Sequence, residues 1–189
     1  MSASSLLLHP RRSVLVLVDY QARLLPAIDN GEVALAHAVR LADVARKLGV
    51  PVLGTEENPA GLGQNVAPIR DRCDATLQKM HFDACADGLL DAIQDTRVTP
   101  LRDIVIAGCE AHVCLLQTAL GLLQAGYRVS VVAEACGSRS APNVELAMQR
   151  LRQNGATIVS VEMVAFEWLG SCEDACFKQV LALLKAPII

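Results

Sequence analysis

Aromatic side chains are scarce in this chain: one Trp, two Tyr and three Phe in 189 residues. Nucleic-acid grooves stack successive bases on aromatic platforms, and so few rings supply none. The core therefore has to be aliphatic. An excess of one charge is missing too. Seventeen Lys and Arg face twenty Asp and Glu, for a net charge of −3, and no run of Lys and Arg exceeds a pair such as Arg11-Arg12. The sequence thus predicts no nucleic-acid partner and no membrane partner. No apolar run approaches the roughly 20 residues needed to span a bilayer. Leu6-Leu7-Leu8 precedes Arg11-Arg12, which reverses the charge-then-apolar order of a signal peptide. A dinucleotide fingerprint is absent as well. Gly61-x-Gly63 has no strand immediately before it and no third glycine, so nothing points to a nicotinamide cofactor, and no cofactor is expected.

Cysteine is not scarce, but its pattern excludes a disulfide framework. Seven cysteines are an odd number, irregularly spaced, in a chain too large to need stapling. Free thiols in a reducing, cytoplasmic compartment are the expectation. Cys172 and Cys176, four apart on a predicted helix, are expected to share a face and pack against the core. With 52% hydrophobic and 20% charged residues, and no repeat or low-complexity linker, the sequence predicts one domain over residues 1–189.

Along that domain, short apolar runs alternate with helical periodicity. Continuous runs at Val14–Val18, Ile104–Ala107 and Arg128–Ala133 suit strands buried on both faces, as in a parallel sheet. Pro51–Thr55, Ala75–Lys79 and Thr157–Val161 are further strand candidates. Between them, Leu35, Val39, Ala42, Ala45 and Leu48 recur at helical spacing, as do Val113, Leu116, Leu120 and Leu123. Helices are also predicted over 87–94 and 144–151, and Gly49, Gly126 and Gly155 stop three of the helices. Ser171-x-x-Asp174 reads as a capping box ahead of a last helix containing Val180, Leu181, Leu183 and Leu184. Glu56–Asn65, rich in turn formers, reads as a loop. The fold class that follows is α/β: a three-layer α/β/α domain around a mainly parallel, Rossmann-like sheet of about six strands.

In such a sheet all strand carboxyl ends share one rim, where ligands bind. Asp19 ends the first strand, Lys79 ends the third candidate, and Cys114 opens the helix after the Ile104–Ala107 strand. Unpaired N–H groups and the positive end of the helix dipole converge there, which favours thiolate over thiol. A carboxylate, an ammonium and a thiol together supply a base, a counter-charge and a nucleophile. Amides of the Gly108–Cys114 turn are candidate oxyanion donors.

With Leu17-Val18-Asp19-Tyr20-Gln21, Gln78-Lys79-Met80-His81-Phe82 and Gly108-Cys109-Glu110-Ala111-His112-Val113-Cys114, the chain resembles the isochorismatase-like cysteine hydrolase superfamily. Glu110–Cys114 with Thr55-Glu56 and Gly61-Leu62-Gly63 look most like its isochorismatase domain-containing branch. That resemblance implies a catalytic triad of Asp19, Lys79 and Cys114, a cis peptide at Cys109–Glu110, and an oxyanion hole made by the Glu110 and Cys114 amides. It also implies a homo-oligomer, for which Val113–Leu123 and Val161–Leu169 offer apolar faces. Metal-dependent nicotinamidases in the superfamily carry Asp-x-His after the second strand; Thr55-Glu56-Glu57-Asn58-Pro59 stands there instead, so no metal is expected. Isochorismatases that cleave a vinyl ether lack the cysteine. The expected activity is hydrolysis of an amide-type C–N bond in a small-molecule substrate through a thioester. The rival readings are ester or vinyl-ether hydrolysis, and a non-catalytic binding protein on the same fold. Gln21, Thr55, Phe82, His112 and Trp168 are candidate pocket residues.

Overall fold

The computed structural model describes residues 6–188. Six strands, β1 Ser13–Val18, β2 Val52–Glu57, β3 Ala75–Lys79, β4 Asp103–Gly108, β5 Arg128–Val132 and β6 Thr157–Val159, form one sheet. Every pairing is parallel, in the order β3-β2-β1-β4-β5-β6. β1, β2 and β4 are buried at every residue. In β1 and β4 this is why the sequence reads as a continuous apolar run rather than an alternating one, whereas β2 ends on the buried polar residues Thr55, Glu56 and Glu57.

Among the described residues, eight α-helices connect or cover the strands: α1 Gly31–Lys47, α2 Pro59–Leu62, α3 Ala67–Arg70, α4 Leu89–Asp95, α5 Cys114–Gln124, α6 Ala141–Gln153, α7 Val161–Leu169 and α8 Phe177–Lys185. α1 packs against α3, α7 and α8 on one side of the sheet, and α5 packs against α6 on the other. The sheet between them makes a three-layer α/β/α fold. α1 turns Ala34, Ala38, Ala42 and Ala45 inward; methyl-sized side chains let a helix lie close to a sheet without voids.

Strand order reverses direction between β1 and β4, and a crevice opens at such a point above the strand carboxyl ends. The two strands approach closely there. A Cβ on Gly108 would lie 2.3 Å from the Val18 carbonyl oxygen and 2.5 Å from Val18 Cβ. Only glycine fits. Beyond Val18 the chain turns through Asp19 in the left-handed region, with φ 55°, a conformation Asp tolerates better than most residues. That turn fixes the carboxylate at the crevice.

Several sequence expectations change at the element ends. β2 runs on to Glu57, so the predicted loop begins two residues late. β6 stops at Val159, because Ser160 accepts a hydrogen bond from the Met163 amide and starts α7. Ser171 and Asp174 do not make a helix capping box. Ser171 accepts from the Glu173 amide and Asp174 from the Cys176 amide, and α8 starts only at Phe177. Cys172 is exposed and lies outside any helix, so the shared core face expected for it and Cys176 does not form. The apolar faces offered for assembly are largely spent inside the chain. Leu115, Leu116 and Leu122 of α5, and Val164, Ala165 and Leu169 of α7, are all buried.

Candidate active site

Four strand ends build the site. Val18 pairs in register with Thr55 on one side and Gly108 on the other, and Glu57 pairs with Lys79. Side chains alternate along a strand, so Thr55 and Glu57 share one face of β2. Glu56 points the other way and accepts from the Asn65 amide at 2.8 Å. Lys79, from the edge strand β3, reaches across β2 toward Asp19 at the end of β1.

Asp19, Lys79 and Cys114 meet there. Lys79 Nζ lies 2.8 Å from Asp19 Oδ2 and 2.8 Å from Glu57 Oε2, and it donates to the His81 carbonyl at 3.3 Å. Thr55 Oγ1 donates to Asp19 Oδ1 at 2.6 Å. The Lys79 contact with Oδ2 is an ion pair by distance, and among the described residues no hydrogen bond of regular geometry ends on that oxygen. A carboxylate oxygen of Asp19, one of Glu57 and Cys114 Sγ all lie within 4.8 Å of one another. Asp19 is wholly buried, whereas Cys114 and Glu57 keep 6% and 8% of their surface in contact with solvent.

Charge and burial set the resting state of these groups. Burial draws the Lys79 ammonium down, but the adjacent Asp19 charge, then Glu57, outweighs it, and Lys79 is held above the usual lysine range. Lys79 stays charged. Burial pushes the Cys114 thiol up. The Asp19 charge adds to the rise, and the opposing pull of Lys79 does not overcome it. The expectation from the helix dipole is therefore corrected: at rest the sulfur is a thiol. An anion buried beside two carboxylates costs more than one helix end returns.

The Cys109–Glu110 peptide is cis. Among the described residues, neither the Glu110 nor the Cys114 amide donates to a protein acceptor. The Glu110 side chain is tied back, accepting from the Arg139 amide and from Arg139 Nε at 2.9 Å each.

The remaining sequence candidates fall in four places. Thr55 touches the site directly, through Asp19. Gln21 and His112 are held by neighbours. Gln21 is fully buried; its Nε2 donates to the Glu57 and Gly63 carbonyls, and its Oε1 accepts from the Glu57 amide. It clamps the end of β2. His112 Nδ1 is 3.0 Å from the buried Ser138 hydroxyl. Phe82 is half exposed, in the turn after β3. Trp168 is not at the site. Its indole Nε1 donates to Ser13 Oγ at 3.0 Å, and Ser13 begins β1, at the opposite end of the strand from Asp19. Sequence reasoning missed Glu57, because β2 was ended too early; the alternation Thr55-x-Glu57 was the available signal.

A divalent ion does not suit this cluster. Asp19, Glu57 and Cys114 offer ligand atoms, but Lys79 already sits between the two carboxylates, and its ammonium would repel a metal cation. A cleft of about 620 Å³, mostly apolar, lies elsewhere, between α1 and the segment after α8.

A model of the isochorismatase domain matches residues 13–163, which holds all four strand ends of the site. The chain belongs to the isochorismatase family. Its likeness to the relatives in this hydrolase family extends over nearly all of its length. Isochorismatase domain-containing protein 2 of Xenopus laevis is 35% identical over 180 residues, covering 95% of this chain and 87% of its own. Among solved structures, the MAR1 ribonuclease of Caenorhabditis elegans superposes with a TM-score of 0.88 at 29% identity, covering 96% of this chain and 94% of that one. The octameric YcaC gene product of Escherichia coli, a hydrolase of unknown specificity, shares the fold with a TM-score of 0.85 at 23% identity, covering 97% and 91%. Among the described residues no helix is long and apolar enough to cross a membrane.

Proposed function

We propose that this member of the isochorismatase family is a cysteine hydrolase that cleaves an amide-type C–N bond in a small molecule. The observation that carries the reading is the meeting of a wholly buried carboxylate, an ammonium fixed on it at 2.8 Å, and a partly accessible thiol. Asp19 Oδ2, with no regular hydrogen bond of its own, takes the thiol proton as the sulfur attacks the carbonyl carbon. The proton transfer leaves the net charge of the cluster unchanged, so the raised resting value of the thiol is no obstacle: the thiolate exists only as the C–S bond forms. Lys79 holds the charge of the pair throughout. The Glu110 and Cys114 amides receive the carbonyl oxygen as it becomes an oxyanion. Collapse breaks the C–N bond, and Asp19 returns the proton to the leaving nitrogen. Water then attacks the thioester while Asp19 takes one of its protons. The C–S bond breaks, and the sulfur recovers the proton from Asp19.

The test is a panel of primary carboxamides, esters, a vinyl ether and RNA, with intact-mass detection of an acyl adduct on Cys114. Amide turnover is expected in the native chain and none in Cys114→Ala, with unchanged circular dichroism. Turnover retained by Cys114→Ala defeats the mechanism. A thioester formed from esters alone would shift the substrate class. We also assign one hydrolase domain to the whole chain and propose self-assembly in the cytoplasm, through exposed apolar residues such as Met163 and Phe166.

A further inference from the structure

The reaction just described leaves Glu57 without a task, yet its carboxylate lies within 4.8 Å of both the Asp19 carboxylate and the nucleophilic sulfur. Two features set it apart from Asp19. Its side chain keeps 10% of its surface open, against none for Asp19. Its Oε2 holds Lys79, whereas Oε1 has no hydrogen-bond partner among the described residues. An acceptor is therefore left over on a side chain that keeps some contact with solvent. Its aim is fixed from behind, because Gln21 grips the Glu57 amide and carbonyl at 2.9 Å each.

Glu57 also decides the sign of the pocket. Two carboxylates share one ammonium, leaving a surplus of one negative charge beside the sulfur. Glu110 and Arg139 pair with each other and do not change that balance. We propose that Glu57 is a specificity-determining residue that contacts the substrate: Oε1 accepts a hydrogen bond from the substrate's amide N–H, and the surplus charge repels anionic molecules. The pocket then takes uncharged or cationic carboxamides and rejects carboxylates. The inference rests on Cys114 being the nucleophile.

Iodoacetamide and iodoacetate test it, since both alkylate a thiolate by expelling iodide and differ in charge. Alkylation rates at Cys114 are read by peptide mass spectrometry in a Cys172→Ser background, which removes the exposed competing thiol. Each rate is divided by the rate for 2-mercaptoethanol. The expected preference of Cys114 for iodoacetamide is at least about tenfold beyond that of the free thiol, given one uncompensated charge a few ångströms away. In Glu57→Gln it should fall to near that of the free thiol. Because a ratio is read, a general change in Cys114 reactivity cancels. A preference that survives in Glu57→Gln overturns the assignment. So does its absence from the native chain, a result that needs no variant to fold. Cys114 inert to both reagents defeats the nucleophile itself, a different failure.

Discussion

Replacing Lys79 with methionine keeps much of the side-chain volume and removes the ammonium that lies between two buried carboxylates. In the native chain Nζ is 2.8 Å from each. Without it, carboxylate oxygens no more than 4.8 Å apart face each other. Their repulsion at an effective dielectric constant near 20 is about 3 kcal/mol. That agrees with the roughly 3–5 kcal/mol lost when one partner is stripped from a buried ion pair, and it is a large share of the ~5–15 kcal/mol that holds a domain folded. The variant has one escape, which is to bind a proton on one carboxyl. A carboxyl with a raised folded value contributes stability that is complete below its unfolded value, near pH ~4, and lost as pH rises through the folded value. The penalty of Lys79→Met should thus be about 3 kcal/mol at neutral pH and shrink toward about pH 5. Urea unfolding at a series of pH values measures it, with the fluorescence of the single buried tryptophan, Trp168, as the probe. A penalty below about 1 kcal/mol, the size expected of an exposed ion pair, would refute the reasoning. So would one that stays flat with pH.

Thr55→Val removes the hydroxyl that donates to Asp19 Oδ1 at 2.6 Å; a buried acceptor left unpaired costs about 1–3 kcal/mol, readable by the same unfolding curves. If Asp19 is the base, kcat for an amide substrate should fall while KM changes little. Gly108→Ala places a methyl 2.3 Å from the Val18 carbonyl oxygen, so the two central strands must separate; soluble yield and Tm should both drop sharply, and a native-like Tm would contradict the close approach. Burial pushes Cys73, Cys85 and Cys136 up to about 12. At pH 8 roughly one in ten thousand of these thiols is ionised, so exposed Cys172 should react with a disulfide reagent well before any of the three. Rapid labelling of Cys136 would show that the core around it opens.

Much of the fold was legible along the chain. The runs Val14–Val18 and Ile104–Ala107 could only be strands covered on both faces, and Gly49, Gly126 and Gly155 each sit just beyond a helix in the left-handed conformation. The placing of Asp19 and Lys79 at strand ends, and of Cys114 at the helix start beyond another strand, was legible for the same reason. Once strands and helices alternate, right-handed crossovers put every carboxyl end on one rim. Boundaries were less legible, and one had consequences. Ending β2 at Thr55 hid Glu57, because two further residues of strand carry a side chain back to the site face. Trp168 was misplaced because α7 was not recognised as a helix, and its indole is buried at the amino-terminal end of β1.

Composition, apolar period and turn chemistry are properties of neighbours in the chain, and they determined the parallel α/β architecture and the rim on which three reactive groups stand. The charge state of those groups belongs to the tertiary structure. The sequence placed Cys114 at a helix start and implied a thiolate; packing placed two carboxylates and an ammonium around it and left a thiol. Electrostatic energy depends on distance in space and on the water excluded between charges, and neither is written in the order of residues.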